Sequence, residues 1–283
     1  MNPCVRLSEL RSEVVKGRAE VFAAPDPIPK AVRECVDWLA AMLREIKQRI
    51  PDEPEIAVIP LGALNLLPFN AAFIQATADR PAGPVTVRFL PNARLVADAA
   101  SWPETGLTDR ILVVDATRVP GARSLPRSGR EAEALTRRYR ARRLGDATSQ
   151  AVLAALDSAD LVHFMCHGEA NPTDPFSSGL LLTDGRLTVR TLFARPPLRR
   201  QLVVLSACES HLGGTAAPDE IIGLSAALFQ AGALAVIAAQ WRVDERATLL
   251  VLRKFYEHLE KVTPPARALT AAQYWLRTAT LGS

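Results

Sequence analysis

The stretch LVHFMCHGEA, residues 161–170, puts His163, Cys166 and His167 within five positions. These are two of the chain's four histidines and one of its four cysteines. A second cysteine, Cys208, follows His167 by 41 residues in LSACES. A thiol at neutral pH is only a few per cent thiolate, and a nearby imidazole raises that fraction or takes the proton during attack. Such a pair also needs donors for the oxyanion of a tetrahedral intermediate, which backbone N–H groups supply. Gly168, lacking a Cβ, lets the backbone approach a substrate carbonyl, and the Cys208 amide is the natural second donor. Other readings stand beside this one. Isolated cysteines are most often packing. A zinc site from Cys166, His167, Cys208 and His211 has one suitable spacing, Cys-x2-His at 208–211, but no second close pair, so no metal is expected.

The elements that must position these groups follow from the apolar pattern. LVHFMC (161–166) reads as a buried strand, with His163 inside it as a core or sheet-face residue. Cys166, one step from His167, points the opposite way into the packing. QLVVLSA (201–207) is the next strand, so His167 and Cys208 both stand at strand carboxyl ends, where open α/β sheets gather their functional groups. Upstream, residues 28–50 carry apolar side chains at three- and four-residue steps, which predicts a helix. EIAVIP (55–60) and VTVRFLP (85–91) read as strands, and LGALNLLPF (61–69) as a loop between them. RILVVDA (110–116) has the β-branched character of a buried parallel strand. Helices are expected at 129–139, 149–156, 189–193, 220–231 and 247–259, and a strand at 233–239. This alternation predicts βαβ units and a mainly parallel sheet covered on both faces. The segment 169–178, with two prolines and a Ser-Ser-Gly end, has the composition of a mobile loop.

Bulk properties exclude several classes. At 283 residues the chain suits one large domain or two small ones. It is 48% hydrophobic and 23% charged, ordinary globular values. The net charge is +4, and the basic runs at 127–143 and 195–201 read as a solvated helix face and a loop, so no nucleic-acid partner is expected. The cysteines show no CxxC spacing and the amino terminus no signal peptide. The charge-free run 221–241 is better explained by a helix turning at Ala231-Gly232 into a short strand than by a membrane span. A cytoplasmic protein without membrane contact is expected. No GxGxxG or Walker-type loop follows a strand, which counts against a nucleotide-binding domain, and no cofactor is implied.

Several ordered segments resemble the CHAT family of caspase-like cysteine peptidases. They are HFMCHGEANPTDPFSSGLLLTDGRLT (163–188), LVVLSACESHLGG (202–214), PDEIIGLSAALFQAGALAVIAAQWRVDE (218–245) and FYEHL (255–259). Upstream, VIPLGALNLLPFNAAF (58–73) and LPRSGREAEAL (125–135) are similar to the same family, so the likeness covers about residues 28–278. It implies a caspase-like three-layer α/β/α sandwich with a mainly parallel central sheet. It implies one such domain over 1–283, with a degenerate subdomain at 1–105 and a catalytic subdomain at 106–283. By the resemblance His167 is the general base, Cys208 the nucleophile, and the amides of Gly168 and Cys208 the oxyanion hole. The order His before Cys agrees with the caspase arrangement, although Ser206-Ala207-Cys208-Glu209-Ser210 departs from the animal caspase motif. Candidates for the substrate pocket are Asp115, Glu209, Arg242 and Asp244, with a helix-capping role as the plainer reading of Asp244. A protein or peptide substrate and a regulatory or sensor partner are implied, in a bacterial defence or cell-death setting. The competing expectation is a caspase-like interaction module without turnover.

Overall fold

The computed structural model describes residues 30–49, 53–60, 64, 67–81, 83–90, 109–169, 171, 174–195, 201–206, 223–239, 245–261 and 263–279. The chain divides into two compact units, Met1–Val96 with Leu250–Ser283, and Ala97–Leu249.

The first unit is built on helix α1 (Lys30–Arg49), which follows the predicted apolar stripe. Cys35, Leu39 and Leu43 are buried from it, whereas Met42 and Ile46, expected on the same stripe, are exposed: the apolar arc is wider than the face its neighbours cover. Strands β1 (Glu55–Val58) and β2 (Thr86–Phe89) pair in parallel, Glu55 opposite Thr86 and Val58 opposite Phe89. Part of the segment expected to be a loop enters helix α2 (Phe69–Ala76), whose Phe69, Ala72 and Phe73 join Val85 and Val87 in the core. Pro68 precedes the helix, where its fixed φ and missing donor cost nothing.

The second unit carries the predicted parallel sheet. Its strands are β3 (Ile111–Asp115), β4 (Arg142–Leu144), β5 (Leu161–Met165), β9 (Leu202–Ser206) and β10 (Ala235–Ala238). They lie in the order β10-β9-β5-β3-β4, every neighbour parallel. β3, β5 and β9 are apolar on both faces because helices cover both. The alternating residues Leu112 and Val114, Val162 and Phe164, and Val203 and Leu205 share one core with Val152 and Leu156 of α4 (Ser149–Leu156), Val189 and Leu192 of α5 (Val189–Ala194), and Leu224 and Leu228 of α6 (Leu224–Gln230). The opposite face meets α3 (Pro126–Tyr139), which buries Ser128, Ala132 and Leu135 and turns its arginines outward. This is the α/β/α sandwich with a mainly parallel sheet. As the sequence suggested, α6 ends at Ala231, and Gly232, at φ 102°, turns the chain toward β10.

A ladder of backbone bonds aligns the amino edge of the sheet. Asp160 N donates to Arg110 O (2.8 Å), Leu202 N to Asp160 O (2.9 Å), and Leu234 N to Gln201 O (2.9 Å). Gln201, buried, adds Nε2 donations to Leu156 O and Ala159 O. At the opposite, carboxyl edge a second sheet begins. β6 (His167–Glu169), β7 (Gly179–Leu182) and β8 (Gly185–Thr188) form an antiparallel meander with His167 opposite Leu181 and Leu181 opposite Arg186. Helices α7 (Glu245–Leu259) and α8 (Pro265–Thr278) complete the chain, and the division between the units falls inside α7.

Candidate active site

The strand order sets where a site can form. The chain leaves β3 toward β4 on one side and then crosses to β5 on the other, so the connections at the carboxyl ends of β3 and β5 diverge. Such a reversal opens a crevice between neighbouring loops. The connection after β3 occupies residues 116–125, and the residues after Met165 are Cys166 and His167.

The two residues separate sharply. Cys166 is fully buried in the sheet core, and burial pushes its thiol well above the ordinary cysteine value. It is core, as expected. His167 is half-exposed at the head of β6. Its Nε2 lies 2.6 Å from the carbonyl oxygen of Arg123. A carbonyl can only accept, so Nε2 carries the proton and donates it. In the neutral ring Nδ1 is then the nitrogen with the lone pair, and the imidazole is fixed in one tautomer with its basic atom defined.

The loop that offers Arg123 O is built from recognisable local chemistry. Pro120 and Gly121 stand at the centre of a turn closed by Ala122 N to Val119 O at 3.1 Å, with Gly121 at φ 80°. That is a type II turn, in which proline pre-sets the first central residue and glycine tolerates the positive φ of the second. Leu125 N closes the loop onto Thr117 O at 2.9 Å. Arg123 was not among the expected site residues. Its contribution is a main-chain carbonyl, which residue type does not announce, but the Pro-Gly pair just after a strand was a legible sign of a tight loop there.

Asp115, a pocket candidate, ends β3 with 7% of its surface exposed. Its Oδ1 accepts from Thr117 Oγ1 (2.6 Å) and Thr117 N (3.2 Å), and its Oδ2 from Arg143 Nε (2.9 Å). The carboxylate is thus engaged at the root of the loop. Gly168 lies in β6 beside His167, opposite Leu180, and is half-exposed. Cys208, Glu209, Arg242 and Asp244 lie outside the described residues, as does His211. Among the described residues, no group of three or more His, Cys, Asp or Glu side chains could hold a metal ion. No described helix is long and apolar enough to cross a membrane.

His163, completely buried, meets Ser206 across the sheet, its Nε2 2.7 Å from Ser206 Oγ. Burial lowers its pKa from 6.5 to about 3, so the ring stays neutral at any physiological pH. Ser206 is the last residue of β9. In the described part of the segment 169–178, side chains take the place of backbone partners. Asn171 N donates to Ser178 Oγ (2.8 Å), Asn171 Nδ2 to Ser177 Oγ (2.9 Å), and Asp174 N to Asn171 Oδ1 (3.0 Å). Asn and Ser are turn residues because their side chains substitute for backbone partners, and here they tie the segment together.

Residues 30–281 match the CHAT domain. The chain belongs to the CHAT-domain family. The match spans both compact units, and with it comes a relationship to caspase-like peptidases. No curated protein matches the chain. Within this CHAT domain, the Arg123 carbonyl orients the half-exposed imidazole of His167 just past the carboxyl end of β5.

Proposed function

We propose that the chain is a cysteine endopeptidase in which His167 serves as general base and Cys208 as nucleophile. The observation that carries this reading is the defined tautomer of His167, held through Nε2 with Nδ1 left to accept a proton. The sheet register supports the pairing. Met165 stands opposite Ser206 in the parallel pair β5–β9. His167 follows Met165 by two residues and Cys208 follows Ser206 by two, so the sequence separations from the last paired residues are equal. Family membership supports the same roles.

In this mechanism Nδ1 of His167 takes the proton from Cys208 Sγ, and the thiolate attacks the scissile carbonyl carbon. The amides of Gly168 and Cys208 stabilise the oxyanion. The carbonyl re-forms as the C–N bond breaks, and the imidazolium gives its proton to the departing amine. Water, deprotonated by the same nitrogen, then cleaves the thioester. The Arg123 carbonyl stabilises the imidazolium by accepting from Nε2 throughout. Glu209, Arg242 and Asp244 are the candidates for contacts with the substrate side chain. A partner or sensor protein controls the enzyme in a bacterial defence or cell-death setting on this reading, which family kinship alone supports.

The test is alkylation of the folded protein by iodoacetamide, located residue by residue by mass spectrometry. Cys208 is expected to react faster than Cys4, Cys35 and Cys166. His167→Ala is expected to slow Cys208 by roughly 10²-fold or more, the range for loss of a general base. Equal reactivity of Cys208 in the wild type and His167→Ala removes the dyad. Cys208 labelling without cleavage of any peptide in a broad library would instead favour the interaction-module reading.

A further inference from the structure

The Arg123 carbonyl can orient His167 only if the loop that carries it is itself held, and the structure shows two braces on that loop. The first is local. Asp115 accepts from both polar groups of Thr117, and Thr117 O receives Leu125 N, closing the loop's two ends together. Arg143 neutralises Asp115 from β4. Gly129, in the first turn of α3, packs so closely on Thr117 that an added Cβ would lie 3.2 Å from Thr117 Oγ1.

The second brace comes from far along the sequence. Helix α3 begins at Pro126 with Leu125 at its N-cap and no capping side chain of its own. Glu245, the first residue of α7, takes that place. Its Oε1 accepts from Ser128 N (3.0 Å) and Ser128 Oγ (3.1 Å), and its Oε2 lies 3.4 Å from Arg127 Nη1. Ser128 is 5% exposed, so this is a hydrogen-bonded carboxylate at a sheltered helix start, where the macrodipole favours negative charge. Ser128 is five residues from Arg123, with the closed end of the loop between them.

We propose that Glu245 is a positioning residue for His167, acting through the α3 amino terminus and the loop 117–125. The proposal rests on His167 as the base of the site, and it adds a residue that neither motif nor family membership assigns. Without Glu245 the first turn of α3 loses its acceptor, the loop end at Leu125 loosens, and the Arg123 carbonyl no longer selects one imidazole tautomer. Thr117 does the corresponding work from the other end of the loop.

Two readouts test this on the full chain. In protein with ¹⁵N-labelled histidine, long-range ¹H–¹⁵N spectra report each ring's tautomer. His167 is expected as the Nε2–H form in the wild type and as a mixture of both forms in Glu245→Ala. Glu245→Gln keeps an acceptor for Ser128 and is expected to restore the wild-type spectrum, while Ser128→Ala, losing one of two donors, falls between. The second readout is the pH profile of Cys208 alkylation by iodoacetamide. Its rate is expected to drop roughly tenfold at neutral pH in Glu245→Ala and to stay within about twofold of wild type in Glu245→Gln. An unchanged His167 spectrum in folded Glu245→Ala overturns the proposal; should that variant not fold, unchanged spectra in Ser128→Ala and Thr117→Val do so. If wild-type Cys208 fails to react in a His167-dependent way, the dyad fails, but the spectra still decide whether Glu245 holds the imidazole.

Discussion

At the residue scale, the two histidines of LVHFMCHGEA are separated by environment. His163 sits inside a strand and is neutral by burial; His167 sits one strand later, half-exposed and oriented by a carbonyl. The buried histidine has a consequence for acid stability. Its folded pKa is about 3 against 6.5 when free. Between those values the unfolded chain binds a proton that the folded chain refuses, so this group's contribution is complete above about pH 6.5 and is lost as the pH falls below it. At pH 5 the loss is about 2 kcal/mol, a figure set by the distance below the free value rather than by the depressed one. Urea unfolding at pH 7.5 and pH 5 measures it. In His163→Gln, whose amide keeps a partner for Ser206, the pH-dependent loss is expected to shrink by about that amount; an identical pH dependence in the variant would refute the assignment. The sequence distinguished these histidines through strand alternation and position. It did not show Ser206 as the partner of His163, because that contact depends on the register between β5 and β9, which local pattern does not encode.

At the element scale, the parallel strands and most helices were legible, since long apolar runs alternating with amphipathic segments carry strong periodic signals. What escaped was short or carried by turn chemistry. β4 is three residues, two of them exposed arginines. β6, β7 and β8 are three or four residues each, too short for alternation to register, although the Asp184-Gly185 pair in LLLTDGRLT marked their tight hairpin. α8 opens on Pro264-Pro265, where a proline at the first helical position starts a helix rather than forbidding one. The meander allows a sharp test. At Gly179, opposite Thr188, an added Cβ would collide with the carbonyl oxygen of Leu187, and backbone on a paired strand cannot step aside cheaply. Gly179→Ala is expected to cost about 2 kcal/mol or more, as overpacking does. In a thermal melt that is a fall of roughly 5 °C. An unchanged melting temperature would mean that β7 and β8 do not pair as described.

At the scale of the whole molecule, each compact unit carries a buried free cysteine, Cys35 in the first and Cys166 in the second. Burial pushes both thiols up, so each needs local or global opening to react. In native buffer neither is expected to be alkylated by iodoacetamide on the timescale of an exposed thiol. With rising urea, Cys35 then reports the opening of the first unit and Cys166 that of the second, read separately by mass spectrometry. Native-state labelling of either would contradict its place in the core. The central sheet adds a consequence for how such a protein can change over generations. Its amino edge is aligned by the Arg110–Asp160–Leu202 backbone ladder and by Gln201, while the oriented imidazole and its holding loop occupy the carboxyl edge. Heritable substitutions at the amino edge can therefore raise or lower the stability of the sheet while leaving the imidazole and its braced loop at the other edge in place.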